Sequence, residues 1–229
     1  GALGAQLRCL RLIADELAGE VPFIQTVFSP LAQAKNLVGK ANLAVHLRRY
    51  PDALHAGLET ITETTIRFVE AAGEIGIAGL FYAVQHARYG VLSEKEYADF
   101  GRPYDLRILE AARDMWLNVL HLHGSDVMFD LLATYPVQVI NWHDRETWPT
   151  LAEAQRRFEG AVCGGLQRWE VMVRGTPARV MKQAADAIEQ TGGRRFILGT
   201  GCVTPVVAPF SHVKAARRAV EVWRGGSDD

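Results

Sequence analysis

The sequence predicts an α/β fold built on a parallel sheet, and three observations carry that reading. Short, nearly continuous apolar runs alternate with segments whose apolar residues recur at helical spacing, the pattern of strands covered on both faces. The 229 residues are 48% hydrophobic and 22% charged, which is ordinary globular composition, ample for a core and contrary to disorder or a charged coiled coil. Roughly six strands are countable where a closed barrel needs eight, so the pattern fits an open doubly wound sheet or a barrel lacking its first third. No linker or short repeat interrupts the alternation, and residues 1–229 read as one domain.

Taken in order, residues 5–18 carry Leu7, Leu10, Ile13 and Leu17 at helical spacing, with Cys9 read as part of that helix's core side. Val21–Phe28 is a strand that ends at Ser29-Pro30. Leu54, Leu58, Ile61, Thr65, Phe68 and Val69 make Pro51–Ala72 a helix, stopped by Gly73, and Ile75–Ala83 is the next strand. Ser93 and Glu96 form a capping box that starts a helix, and a further helix over Tyr104–Met115 leads into the strand Leu117–His123. The second half continues with a helix near Ser125–Thr134, strand Val137–Trp142, helix Leu151–Phe158 and strand Ala161–Leu166. Helix Pro177–Gln190, strand Phe196–Gly199 and helix Ser211–Trp223 complete the series, with Gly192-Gly193 marking a helix-to-strand passage.

Charge and cysteine usage exclude several classes. With 25 basic against 26 acidic side chains, the chain has no surplus to neutralise phosphates, so a nucleic-acid partner is not expected. No run reaches the ~18 apolar residues of a membrane span, and Gly1-Ala2-Leu3-Gly4 does not open like a signal peptide. Three well-separated cysteines, Cys9, Cys163 and Cys202, make no disulfide framework and point to the cytoplasm.

In either architecture chemistry belongs at the C-terminal ends of the strands. There the sequence places Phe28, then Tyr82, Gln85 and His86, then His121 and His123, then Asn141 to Arg145, then Cys163 and Arg168, and finally Gly199-Thr200-Gly201-Cys202. Four of the seven histidines and two of the three cysteines thus gather at one rim. His121 and His123 are two apart on a strand and leave the same face, so both imidazoles can reach one ion, with Cys202 as a third ligand and an open fourth position. The alternative is that both histidines bond neighbouring strand ends and Cys202 is a small buried hydrophobe. After the next strand, His143 or Asp144 can serve in proton transfer and Arg145 can pair a substrate carboxylate. Alternatively Asp144 caps a helix and Arg145-Glu146 is a solvated pair.

These residues also carry a family likeness. The strand ending Phe28-Ser29-Pro30 with the helix LAQAKNLVG, then YADFGRPY (Tyr97–Tyr104), HLHG (His121–Gly124), VINWHD (Val139–Asp144), VCGGL (Val162–Leu166) and FILGTGCVTP (Phe196–Pro205) resemble, in order and spacing, the uroporphyrinogen decarboxylase superfamily. That superfamily includes cobalamin-dependent methyltransferase relatives. The resemblance implies a (β/α)8 barrel of the TIM type, represented here by roughly its last six strands. In the decarboxylases, which use no metal, it leads one to expect a Tyr where this chain has Asn36 and a His where it has Cys202. In the methyltransferase branch it implies zinc held by His-x-Cys on a middle strand and Cys in Gly-x-Gly-Cys at the last. Here these are His121-x-His123 and Gly199-Thr200-Gly201-Cys202.

The function this implies is methyl transfer between a corrinoid carried by a partner protein and a small-molecule or thiol substrate. Zinc sits at His121, His123 and Cys202, His143 and Asp144 contact substrate or a metal-bound group, and Phe28, Tyr82, Gln85 and Arg145 bind substrate. Metal-free decarboxylation of a porphyrinogen is the alternative, and a non-catalytic or split-barrel piece is a third. A homodimer is the other partner that the resemblance implies.

Overall fold

The computed structural model describes residues 1–223. Six parallel strands follow one another in the sheet in sequence order, with helices between them, as the alternation predicts. The chain divides into two compact units.

The first unit comprises residues 1–120 and 135–138. It opens with α1 (Ala2–Leu17), whose buried residue is Leu10. Cys9 is exposed, which corrects its reading as core: the buried face of this helix is narrower than its apolar periodicity suggests. Strand β1 (Ile24–Phe28) is followed by α2 (Pro30–Val38), α3 (Lys40–Arg49) and the long α4 (Pro51–Gly73). The buried positions of α4, including Leu54, Leu58, Phe68, Val69 and Ala72, form one stripe. Thr62 and Thr65 enter it because their hydroxyls donate to the carbonyls of Leu58 and Ile61 at 2.7 and 2.8 Å.

Strand β2 (Gly79–Val84) pairs with β1 in the register Ile24↔Gly79 to Phe28↔Ala83. Gly79 is required at its start, since a Cβ there would lie 2.0 Å from the Leu117 carbonyl oxygen. The Ser93–Glu96 capping box opens α5 (Glu94–Phe100) as expected, and α6 (Arg102–Ala111) follows it. On α6, Asp105 is fully buried. Its carboxylate accepts hydrogen bonds from Tyr82 (2.6 Å), Tyr135 (2.9 Å) and Tyr97. Strand β3 (Val119–Leu122) begins in this unit.

The second unit takes His121–Thr134 and the chain from Val139 onward. It contains the end of β3, α7 (Phe129–Leu132), β4 (Val139–Trp142), α8 (Leu151–Arg157) and β5 (Ala161–Leu166), then α9 (Pro177–Thr191), β6 (Phe196–Thr200) and α10 (Phe210–Val222). A second capping box, Thr150 with Glu153, starts α8. Register runs Asn141↔Cys163 between β4 and β5, and Gly165↔Gly199 between β5 and β6. Leu166, Val171, Met172, Val180, Ala184, Ala215 and Ala219 form its apolar core. Among the described residues no helix is long and apolar enough to cross a membrane.

Candidate metal centre

His121, His123, His143 and Cys202, all in the second unit, each offer a ligand atom, and these four atoms lie within 4.8 Å of one another. Three of the four are the residues expected to bind metal. The fourth, His143, is expected from the sequence to contact substrate or a metal-bound group.

Local structure explains the convergence. His121 lies in β3 and His123 just beyond it, two positions apart and therefore on one side of the extended chain. His143 directly follows β4. Cys202 follows β6, and Gly201 lets it approach: a Cβ at Gly201 would stand 2.6 Å from the Trp142 carbonyl oxygen and 2.7 Å from the His143 Cα. Backbone thus touches backbone where the cysteine meets the third histidine.

Neighbouring polar groups orient the imidazoles. The Asn141 amide nitrogen donates to the carbonyls of Cys163 (2.8 Å) and Thr200 (3.1 Å), so its oxygen faces Nδ1 of His121 at 2.6 Å. That oxygen can only accept, which puts the His121 proton on Nδ1 and the lone pair on Nε2. Nδ1 of His143 lies 3.1 Å from a Glu146 carboxylate oxygen, while its Nε2 is buried without a hydrogen-bond partner. Nδ1 of His123 lies 3.6 Å from the Cys202 sulfur.

Burial alone would raise the Cys202 thiol, but interactions with His121, His123 and His143 outweigh it and bring it down to about 3. These interactions favour the thiolate, the form that binds metal. The Cys202 sulfur in turn lifts His143 above the usual imidazole value against its burial, with Glu146 adding to the rise.

The donor set fits a zinc ion. Bond lengths of about 2.0–2.1 Å to nitrogen and 2.3 Å to sulfur in a tetrahedron place N and S about 3.6 Å apart. The His123–Cys202 pair already has that separation. The orphaned Nε2 of His143 is the kind of buried lone pair that such an ion would satisfy.

Asp144 is buried, and both its oxygens accept from the Gly165 N–H at 3.1 Å. A Cβ on Gly164 would meet its Oδ1 at 2.4 Å, so β5 needs glycine at that position to admit the carboxylate. Burial pushes Asp144 up to about 6, against the Gly165 bond and the Arg145 charge. The Arg145 guanidinium engages the Gly165 carbonyl (2.9 Å), Asp186 (2.6 Å) and the Gln183 carbonyl (3.2 Å), so its donors serve the scaffold.

Of the residues expected to bind substrate from the first unit, Phe28 is 39% exposed at the end of β1. Tyr82 is wholly buried with its hydroxyl on Asp105, and Gln85 accepts from Lys35 at 3.5 Å. Sequence reasoning gave Arg168 no role. It lines a small depression together with His143, Glu146 and Cys202, and its Nε is buried without a partner.

A parallel sheet with intervening helices and a thiolate–imidazole cluster just past its strands describes a barrel-type enzyme scaffold. Residues 1–223 match the family model for uroporphyrinogen decarboxylase (URO-D), and the chain belongs to that family. A uroporphyrinogen decarboxylase of Syntrophotalea carbinolica is 29% identical over 216 residues, covering 89% of this chain and 60% of its own length. A methylated-thiol–coenzyme M methyltransferase of Methanosarcina mazei is 23% identical, covering 88% of this chain and 53% of its own. A methylcobamide:CoM methyltransferase of the same organism is 22% identical, covering 98% and 65%.

The solved structure of a methyltransferase from Methanosarcina mazei matches with a TM-score of 0.83 at 19% identity, over 94% of this chain and 63% of that one. The fold is accordingly a partial (β/α)8 barrel. The chain spans about three fifths of the length of the curated relatives it matches. The family is enzymatic, with both decarboxylase and methyltransferase members.

Proposed function

We propose that this chain is a zinc-dependent methyltransferase of the family, moving a methyl group between a corrinoid on a partner protein and a small-molecule or thiol substrate. The observation that carries this reading is the convergence of Cys202 with three imidazoles, a metal-ligating set where the decarboxylase pattern leads one to expect a lone histidine. The similarity to a methylcobamide:CoM methyltransferase supports the corrinoid partner.

His121, His123 and Cys202 would hold the zinc, with His143 as the fourth donor or as the group that yields its place to substrate. When bound, the ion supplies a Lewis acid that lowers the pKa of a thiol or water beside it. The protein does the rest. Asn141 fixes the tautomer of His121, as supporting hydrogen bonds do in metal sites generally. Glu146 holds the His143 ring so that Nε2 can take or give a proton within the cluster. Asp144, clamped by the Gly165 N–H, keeps a negative charge or a proton next to His143. Arg168 is a cation suited to an anionic group of the substrate.

The metal-free decarboxylase reading is favoured by one observation, the 29% identity to a decarboxylase against 23% to a methyltransferase. An assay pair separates the two. Methylcobalamin demethylation by a thiol acceptor is followed at the corrinoid absorbance bands, and carboxylate loss from uroporphyrinogen by mass, before and after chelation. Thiol-dependent demethylation that disappears with the metal is the expected result. Decarboxylation that survives chelation and Cys202→Ala would replace this reading with the other.

A further inference from the structure

We propose that Thr200 is the positioning residue of Cys202: its hydroxyl latches the turn that holds the sulfur among the three imidazoles. The consequence for zinc affinity rests on the metal reading, whereas the latch itself needs no metal.

The main chain does little to hold Cys202. His121 lies within β3, and the His143 carbonyl accepts from the N–H groups of Glu146 (2.8 Å) and Thr147 (2.9 Å). Cys202 stands two positions past the end of β6, and among the described residues no backbone–backbone hydrogen bond involves residues 201–204. The chain beyond it is not packed down either, since Val203 is 73% and Val206 100% exposed. Gly201 lets the turn approach Trp142 and His143, but a steric contact limits approach without fixing direction. A segment with so few ties opens locally at small cost unless a side chain fastens it.

Thr200 supplies that fastening. Its hydroxyl donates to the Cys202 carbonyl, which can only accept. A hydroxyl carries one proton, so the Thr204 hydroxyl, 2.9 Å away, must be the donor to the Thr200 oxygen. The bonds therefore run one way, from Thr204 to Thr200 to Cys202, and bracket the cysteine from both sides.

Thr200 is itself well anchored. It is the last residue of β6, and its carbonyl accepts from the Asn141 amide at 3.1 Å. The oxygen of that same amide faces Nδ1 of His121. One residue thus ties the cysteine to the group that orients a histidine of the cluster. The branched side chain of threonine suits this role, because it restricts the rotamers that would swing the hydroxyl away.

The test compares Thr200→Val, which keeps the shape and loses both side-chain bonds, with Thr200→Ser, which keeps the hydroxyl. In metal-free full chain labelled with 15N-cysteine, the Cys202 amide order parameter should fall from about 0.85 to below about 0.6 in Thr200→Val. Cys9 and Cys163 serve as internal controls. Zinc affinity, by chelator competition, should drop at least about tenfold in Thr200→Val. It should stay within about threefold of wild type in Thr200→Ser. In cobalt-loaded protein the thiolate-to-metal absorption should weaken in Thr200→Val alone. Thr204→Val, which removes only the outer link, should fall between the two. An unchanged order parameter in Thr200→Val would overturn the proposal, as would Thr200→Ser behaving like Thr200→Val. So would wild-type zinc affinity and cobalt absorption in Thr200→Val despite lost order, because Thr200 would then clamp the loop without positioning the sulfur. Wild type that binds no metal overturns the metal reading instead, and the order parameters then decide the latch alone.

Discussion

Nδ1 of His123 and Sγ of Cys202, 79 positions apart in the chain, lie 3.6 Å from each other. The separation serves either a hydrogen bond to a thiolate or two ligands of one tetrahedral ion. Around this pair the second unit adds His121 and His143, and the cluster becomes a set of four donors.

Removing the sulfur should empty the centre. Cys202→Ala takes away the anionic donor and leaves only the three imidazoles, so bound zinc should fall at least about tenfold with little change in far-ultraviolet circular dichroism. Metal retained at wild-type stoichiometry would show that the sulfur is not a ligand.

Asn141 sets the His121 tautomer. Asn141→Ala removes the acceptor at Nδ1 and the two donations to the Cys163 and Thr200 carbonyls. Zinc affinity should drop about 10- to 100-fold, the usual cost of losing a group that orients a ligand. The midpoint in urea should shift down as well, since two carbonyls lose their partner. A competition titration with a zinc chelator, run beside urea unfolding, reads both effects.

Gly201 is where the Cys202 loop meets the end of β4. Gly201→Ala puts a methyl group 2.6 Å from the Trp142 carbonyl oxygen and 2.7 Å from the His143 Cα, so one segment must retreat. The expected cost is about 1–3 kcal/mol of stability, together with weakened metal binding. Gly57→Ala, inside α4, is the control: its methyl group meets nothing within 4 Å, so metal binding should be unchanged while stability rises by up to about 1 kcal/mol.

Asp105 makes stability depend on pH in a defined sense. Burial lifts its pKa from 3.8 to about 6, against the hydrogen bonds from Tyr82, Tyr97 and Tyr135. Between about pH 4 and 6 the folded state therefore holds a proton that the unfolded chain releases, and stability falls as pH rises through that window. The full drop is about 3 kcal/mol at 1.36 kcal/mol per unit. Subtracting the stability profile of Asp105→Asn from that of wild type isolates this group; a flat difference between pH 4 and 6 would contradict it.

Much of this was legible in the sequence, for identifiable reasons. The order of strands and helices follows from apolar runs and periodicity, and the start of α5 from the local Ser93–Glu96 pattern. His121, His123 and Cys202 stood out because strand ends concentrate chemistry and a two-residue spacing puts side chains on one face. His143 as a donor was not legible. It lies beyond its strand, where no periodicity fixes direction, and the close approach allowed by Gly201 is a tertiary fact. The surroundings of Tyr82 were hidden for a related reason. Nearly every position of β2 is buried, so alternation cannot say which face a side chain takes. Asp105, a single acid on an amphipathic helix, gives no sign that three tyrosines meet it.

X-ray absorption at the zinc edge on protein purified without added metal tests the central claim most directly. The expected result is one zinc per chain, with one sulfur at about 2.3 Å and imidazole nitrogens at about 2.0–2.1 Å, the sulfur shell vanishing in Cys202→Ser. Metal-free protein, or a shell of light atoms without sulfur, would contradict it.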